Sequence, residues 1–527
     1  MVKPDNTKVW WQSGAIYQLY PRSFQDTNDD GIGDLPGIET RLGYLKDLGV
    51  DGVWISPFYP SPMVDFGYDI TDQTDVDPVF GTLDDFDRLL KQAHDLGLKI
   101  ILDFVPGHTS DQHSWFLNSR QGKDADKRDW YIWRDPAPDG GPPNNWQSEF
   151  GGPAWTFDRT SGQYYCHAHL REQPDLNWRN PEVVEAMLGI METWFERGVD
   201  GFRIAAVDQI GKDAELKDNP PDPTWHEGRP SAERFLRTNQ KNGALVHEAI
   251  AAMRQTAEKH GGKFLAGEAY LPFDGMAAYY GTPENGLGLH MPYNFHLIGA
   301  PWDPRQIAEI AEAYEAALPD GGWPNWVMGN HDRPRVASRW GRAEARLAAL
   351  LQLTLRGTPT IYQGEELGME SVPIPPDLVQ DPWEKNTPGH GLGRDPVRTP
   401  MAWDTEQGSG FTKGEPWLPI DDRPEMAVSQ QVNDDGSMLS LYRAILQLRR
   451  QEPALSLGDY KRVYVDDKVF AFQRSLDGRK LAVALNFSKE AATLPMAGEV
   501  LLSTGLSSTV VEDALLPLEG RILLLAE

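Results

Sequence analysis

Short apolar runs alternate with amphipathic stretches through the first two hundred residues. Residues 14–24, GAIYQLYPRSF, are aromatic and β-branched and lie between turn formers, which predicts a buried strand. The next segment, IETRLGYLKDLG, spaces Leu42, Leu45 and Leu48 at helical intervals and stops at Gly49, a residue that suits a helix terminus. The unit then recurs as a strand at 51–59, a helix at 83–97 with Phe86, Leu89, Leu90 and Ala93 on one face, and a strand at 99–106. Strands and helices of this length in alternation predict a parallel sheet covered by helices.

From about 107 to 178 the rhythm breaks into a stretch rich in Gly, Pro, Trp and Asn, read as an inserted, loop-rich subdomain. Alternation resumes with a helix at 180–198 and strands at 201–207, 263–270, 325–332 and 358–367, with room for one more near 290–295 and a helix at 342–357. Eight such units predict an α/β fold, a (β/α)8 TIM barrel with an insertion after its third strand. Beyond the helix at 437–450, the segments KVFAFQRSL, KLAVALNFS, GEVLLST and GRILLLAE alternate as short strands and predict an antiparallel β domain. The expected division is a barrel of 1–104 and 176–452, an inserted subdomain of 105–175 and a C-terminal β domain of 453–527.

Charge narrows the partners. Lys and Arg number 50 against 78 Asp and Glu, a formal net charge of −28. A surface this acidic repels phosphate backbones and anionic lipid, so nucleic acid and membrane surfaces are not expected partners. The start, MVKPDNTKVWW, has no apolar signal core and no run approaches the ~18 apolar residues of a membrane span. The expectation is a cytoplasmic protein, a monomer or small homo-oligomer. A single cysteine, Cys166, excludes an intramolecular disulfide and a multi-cysteine zinc site, and is expected half-buried. The 18 tryptophans are more suggestive, because flat aromatic faces suit sugar rings as well as cores.

In a barrel of this kind the chemistry lies at the C-terminal ends of the strands. Four such ends are loaded: LDFVPGH offers Asp103 and His108, GFRIAAV carries Arg203, AGEAY places Glu268, and GNHD gives His331 and Asp332. One charged strand end is commonly structural; four point to a shared site. Converging carboxylates beside a buried arginine suit glycoside cleavage, in which one group protonates the leaving oxygen and another meets developing positive charge.

The segments DFVPGHTS, GFRIAAVD, GEAY and NHDRPR resemble four ordered motifs of the α-amylase family of glycoside hydrolases. FGYDI (66–70), EQPDLNWRNP (172–181) and RTPMAWD (398–404) resemble further motifs, the last two those of the oligo-1,6-glucosidase and α-glucosidase branch. The resemblance implies retaining hydrolysis and transglucosylation of small α-glucosides, one glucose at a time, with sugars or alcohols as acceptors beside water. It implies Glu268 as general acid/base and Asp332 as the group that binds vicinal hydroxyls. Around the same glucose it places Asp65, Tyr68, His108, His169, Arg203, Ala206, His331 and Arg398, with Tyr68 stacking on the ring and Arg203 holding the nucleophile ionised. That nucleophile would stand about 5 Å from Glu268.

The nucleophile itself is replaced. The family pattern G-F-R-x-D reads here Gly201-Phe202-Arg203-Ile204-Ala205, and alanine cannot attack an anomeric carbon. Asp208 follows at an odd offset, which along a strand puts it on the opposite face. Gly107 stands where the family has Asn, and His169 where the branch has Phe. Because Glu268, Asp332, Arg203 and the binding set remain, the pattern reads as an engineered variant of an active enzyme, with little or no hydrolysis or with glycosynthase behaviour toward a β-glucosyl fluoride. The alternatives are a sucrose- or trehalose-type isomerase or transglucosylase of the same family, and a non-catalytic sugar-binding pseudoenzyme. Ala206, next to the nucleophile position, points to α-1,4 linkages.

A second motif concerns metal. Asp26, Asn28, Asp30, the Ile32 carbonyl and Asp34 space oxygen ligands at alternate positions, as in the first half of an EF-hand loop, while Gly37 replaces the closing glutamate. The resemblance places a structural Ca²⁺ or Mg²⁺ here and no organic cofactor.

Overall fold

The computed structural model describes residues 9–282, 286–506 and 511–526. The outer ends of the expected domains, 1–8 and 527, lie outside the described residues.

The eight barrel strands are β1 Ile16–Leu19, β2 Gly52–Ile55, β3 Lys99–Phe104, β4 Gly201–Ile204, β5 Phe264–Gly267, β6 Met291–Pro292, β7 Asn325–Val327 and β8 Thr358–Tyr362. They form one parallel sheet in the order β6-β5-β4-β3-β2-β1-β8-β7, so that among the described residues only the β6–β7 junction lacks ladder pairing. This is the nearly closed barrel that alternating strand and helix segments call for. β6 is two residues long and was the least distinct in the hydrophobic pattern.

The covering helices are α1 Leu35–Leu48, α2 Leu83–Asp95, α3 Pro181–Arg197, α4 Leu245–Lys259, α5 Pro304–Ala317, α6 Arg342–Thr354 and α7 Met438–Gln451. Local chemistry sets their ends. Asp34 caps α1 by accepting from the Gly37 N–H, and α1 stops at left-handed Gly49. Thr82 and Asp85 form a reciprocal capping box on α2, which buries Phe86, Leu89, Leu90 and Ala93. α6 is buried almost all round from Ala345 to Thr354, because the C-terminal domain covers the face that the barrel does not. There Gly520 permits contact that a side chain would block, since a Cβ would sit 2.6 Å from Leu350.

Between β3 and α3 the chain makes an antiparallel three-stranded sheet, Trp133–Arg134, Gln163–Cys166 and Trp155–Asp158, with Gln163–Cys166 in the centre. Cys166 is 1% exposed rather than half-buried, because it ends that central strand among Trp146, Ala154 and Trp155. The C-terminal domain is an antiparallel sheet in the order β9-β10-β11-β13-β12, from β9 Asp459–Val465, β10 Val469–Leu476, β11 Arg479–Asn486, β12 Glu499–Ser503 and β13 Gly520–Leu524. β9 escaped the hydrophobic pattern because it is a mostly exposed edge strand with two basic residues. Buried Arg474 ties this domain to the barrel by donating to the carbonyls of Thr354, Leu455 and Gly458. No helix among the described residues is long and apolar enough to cross a membrane.

Candidate active site

Strand register brings the first charges together. β3 and β4 pair so that Asp103 lies beside Arg203, and the two buried side chains bond at 2.7 Å through Oδ1 and Nη1. The other Asp103 oxygen accepts from the Trp54 indole at 3.1 Å and the Tyr68 hydroxyl at 3.0 Å. Arg203 Nη2 reaches Glu268 Oε2 at 2.7 Å, and its guanidinium lies 4.7 Å from the centre of the Trp54 ring.

At the end of β7, His331 stacks on Tyr68 with ring centres 5.5 Å apart. Burial pushes His331 down to about 3, so the imidazole is neutral near pH 7. Gln18 Nε2 lies 2.7 Å from His331 Nδ1 and the Tyr68 hydroxyl 3.0 Å from Nε2. With its proton on Nε2, the ring accepts from Gln18 and donates to Tyr68, which donates onward to Asp103. Asp332 Oδ1 is 2.9 Å from Arg398 Nη2 and 3.5 Å from Arg394 Nη1. Burial alone would raise Asp332, but His331, Arg394 and Arg398 outweigh it and hold the carboxyl well below the usual range. Glu268 moves the other way: burial raises it, Arg203 opposes, and Asp332 adds to the rise.

The chain turns sharply just after β4. The Ala205 N–H still pairs with the Phe104 carbonyl at 2.8 Å, so extended pairing runs through that residue. Ala206 then adopts the left-handed region at φ 41°, a conformation that costs a non-glycine residue about 1–2 kcal/mol. That turn aims the Ala206 N–H at Glu268 Oε2, 3.0 Å away. It also overturns the expectation for Asp208, whose offset counts only while the strand continues. Asp208 lies in a short 3-10 turn, lines the cavity and pairs with Lys241 at 3.2 Å.

These groups surround one cavity of about 280 Å³. Asp65, Tyr68, His108, His169, Arg203, Ala205, Ala206, Glu268, His331 and Asp332 all line it. Arg398 does not; it is fully buried and touches Asp332 and the His331 carbonyl. His108 and His169 have ring centres 4.9 Å apart, and burial pushes His169 down to about 3. A Cβ on Gly107 would meet nothing within 4 Å, so the side chain missing there leaves open space.

Several walls were not foreseen. Arg394 bonds Asp65 at 2.7 Å and Asp381 at 2.6 Å, with its guanidinium 5.0 Å from the Phe150 ring centre and 5.8 Å from that of Trp383. This side of the cavity is closed: Phe150 is 3% exposed and Arg394 6%. Elsewhere the lining includes Tyr270, 41% exposed and stacked on Phe295. Glu149 also lines the cavity; burial pushes it up, but Arg237 and Lys241 bring it down to about 2. Tyr270 and Arg394 each lie within four residues of a predicted site residue, a proximity that gave a usable signal; Glu149 and Phe150 gave none.

The 26–34 loop is a series of side-chain-capped turns away from this cavity. Asp26 Oδ1 accepts from the Asn28 and Asp29 N–H groups at 2.9 Å, and Oδ2 from Gly31 at 2.9 Å. Asn28 accepts from the Asp30 N–H and Asp30 from the Ile32 N–H, while Asp34 caps α1. The set is all oxygen, which fits a hard dication. Among the described residues no three His, Cys, Asp or Glu side chains suffice to hold one, so Asn28 and the Ile32 carbonyl would have to contribute.

Comparison with known proteins follows the same division. The family described as "Alpha amylase, catalytic domain" matches residues 18–458, and a domain of unknown function, DUF3459, matches 458–525. A probable alpha-glucosidase of Rhizobium meliloti (strain 1021) is 42% identical over 94% of this chain and 92% of its own length. An oligo-1,6-glucosidase of Halalkalibacterium halodurans is 39% identical over 94% of this chain and 93% of its own. The crystal structure of the alpha-glucosyl transfer enzyme XgtA superposes with a TM-score of 0.92 at 39% identity, covering 98% of this chain and all of that one.

Proposed function

The chain belongs to the α-amylase family of glycoside hydrolases, in its α-glucosidase and oligo-1,6-glucosidase branch, and from that premise we propose that it carries the frame of a retaining, exo-acting α-glucosidase whose hydrolysis is arrested at Ala205. The observation that carries this reading is the convergence of Arg203, Glu268 and Asp332 on one cavity with Ala205 in its wall. In the intact reaction Glu268 would protonate the departing oxygen, which its raised carboxyl favours, while Asp332 would bind the hydroxyls of the distorted ring. A carboxylate at 205 would form the glycosyl intermediate; a methyl group there cannot.

Exo-action is supported by the buried Asp65–Arg394–Asp381 cluster, which would block extension of a sugar chain past one ring on that side. The open side at Tyr270 is left for the aglycone. Ala206 supports α-1,4-linked substrates, and comparing maltose with isomaltose as substrates tests that preference. Likeness to an enzyme named for α-glucosyl transfer favours a second reading, in which acceptors compete with water for the glucosyl group.

Replacing Ala205→Asp is the direct test. An aryl α-glucoside should then be hydrolysed at least 10⁴-fold faster, the order of magnitude lost when a nucleophile is removed. A well-folded Ala205→Asp protein without such a gain would end the proposal. For the 26–34 loop we propose a structural dication held by Asp26, Asn28, Asp30, Ile32 and Asp34, with no part in the reaction.

A further inference from the structure

Resting on the glucosidase reading above, we propose that Asp69 is a positioning residue for the glucose ring. It is fully buried and absent from the cavity wall, yet it holds the loop that presents Asp65 and Tyr68. Through them it sets affinity for the sugar and not the rate of bond cleavage.

Residues 60–71 form a loop closed at its neck, where the Pro60 carbonyl accepts from the Thr71 N–H at 2.8 Å and the Thr71 hydroxyl at 2.9 Å. Asp69 fills the interior. Its Oδ1 accepts from the Asp65 N–H at 2.9 Å and the Ser61 hydroxyl at 3.0 Å, and its Oδ2 from the Val64 N–H at 2.9 Å. Among the described residues the Val64 and Asp65 N–H groups have no other acceptor. The loop needs this hold. Met63 at φ 61° and Phe66 at φ 48° flank Asp65 in the left-handed region that side chains disfavour. Released from the carboxylate, both would relax toward ordinary backbone and carry Asp65 with them.

The held conformation aims the sugar-facing side chains. The Asp65 carboxylate reaches Arg394 Nη2 at 2.7 Å and Gln173 Nε2 at 3.0 Å, and the Tyr68 N–H returns to the Asp65 carbonyl at 3.2 Å. The Tyr68 ring is also fixed through its hydroxyl by Asp103 and His331, so Asp65 depends more on the loop than Tyr68 does. Charge is not the reason for a carboxylate at 69. No cation pairs with it among the described residues, and burial pushes it up to about 6 against the pull of the Asp65 and Val64 N–H groups. What the position needs is acceptor oxygen. Asp65 and Tyr68 are separate from Glu268 and position 205, so loosening them weakens the grip on the ring in ground and transition states alike.

Methyl α-glucoside titrated calorimetrically into the unaltered protein, which binds it without turnover on this reading, gives the reference affinity. Asp69→Ala loses all three bonds and should weaken binding roughly 10-fold or more, the equivalent of one or two net hydrogen bonds. Asp69→Asn keeps one acceptor oxygen and should fall between, roughly threefold weaker. In the Ala205→Asp background, Asp69→Ala should raise KM for an aryl α-glucoside by a similar factor and leave kcat within about twofold. A merely structural carboxylate would lower the melting temperature and leave affinity alone. Unchanged affinity in a folded Asp69→Ala protein would therefore overturn the proposal, as would a fall in kcat at constant KM. Should Asp69→Ala not fold, unchanged affinity in Asp69→Asn would overturn it equally. Each of these failures leaves the glucosidase reading standing. No binding by the unaltered protein, together with no hydrolysis by folded Ala205→Asp, would overturn that reading and the role that rests on it.

Discussion

At the end of β7, Asp332 is met by two guanidinium groups, those of Arg394 and Arg398, whereas at the end of β4 Arg203 has no carboxylate two residues on and turns to Asp103 and Glu268 instead. One strand end therefore holds an anion under firm cationic control. The other holds a cation that has taken the acid/base group as partner. Removing a negative neighbour favours ionisation of the remaining carboxyl, so Glu268 should titrate lower in this chain than in its Ala205→Asp variant. The lesson is that a substitution at a strand end is felt most by the group that inherits the unpaired charge.

The largest effect that tests this contrast lies at β7. In the Ala205→Asp background, Asp332→Asn should lower kcat for an aryl α-glucoside by roughly 10³-fold, about 4 kcal/mol of transition-state stabilisation. Arg394 and Arg398 would then face a neutral amide. A change confined to KM would show that Asp332 binds ground state and transition state alike, contrary to the role assigned to it.

A neighbouring carboxyl, Glu365, which among the described residues forms no ion pair although Arg339 and Arg335 oppose its rise, sharpens the comparison through stability. Glu365 packs against the β7 exit so closely that a Cβ on Gly329 would lie 2.3 Å from its Oε1. Burial pushes Glu365 up to about 8. The folded protein thus keeps a proton that the unfolded chain releases near the ordinary carboxyl value. Stability from this group is full below that value and is lost as pH climbs toward about 8. Glu365→Gln should remove this slope and leave the variant relatively more stable at pH 8, by roughly 3–5 kcal/mol compared with acid conditions. Urea unfolding at pH 5 and pH 8 measures it, and parallel curves for both proteins would refute the assignment.

The floor of the cavity was legible in the sequence, and most of its upper wall was not. Arg203, Glu268, His331 and Asp332 follow recognisable buried strands, and a strand fixes where its last residues emerge. Alternation fails as soon as the strand does, which is why left-handed Ala206 brings Asp208 into the cavity. Phe150, Trp383 and Arg394 meet from segments more than two hundred residues apart at the widest, with no periodicity to announce the contact. Arg398 sits one layer deeper than expected, because Arg394 occupies the place at the cavity wall. β6 and β9 were faint for related reasons: one is two residues long and the other spends most of its side chains on solvent.

The 26–34 loop offers the smallest expected effect and a third way of balancing carboxylates, through backbone N–H groups instead of guanidinium. Asp26 accepts three of them, so part of its charge is met before any ion arrives. A dication would complete the balance and stabilise only the folded chain, by about 2.7 kcal/mol at a hundredfold excess over its dissociation constant. Protein stripped with chelator should therefore gain thermal stability on addition of Ca²⁺ or Mg²⁺, and Asp30→Ala should abolish that gain. In the Ala205→Asp background, kcat and KM should be the same with and without the ion below the melting range, because the loop's side chains are absent from the cavity wall. Equal melting curves with and without metal would remove the ion from the account. A loss of kcat on chelation at low temperature would instead tie the loop to the chemistry, and the separation drawn here between charge balance at the site and charge balance in the scaffold would fail.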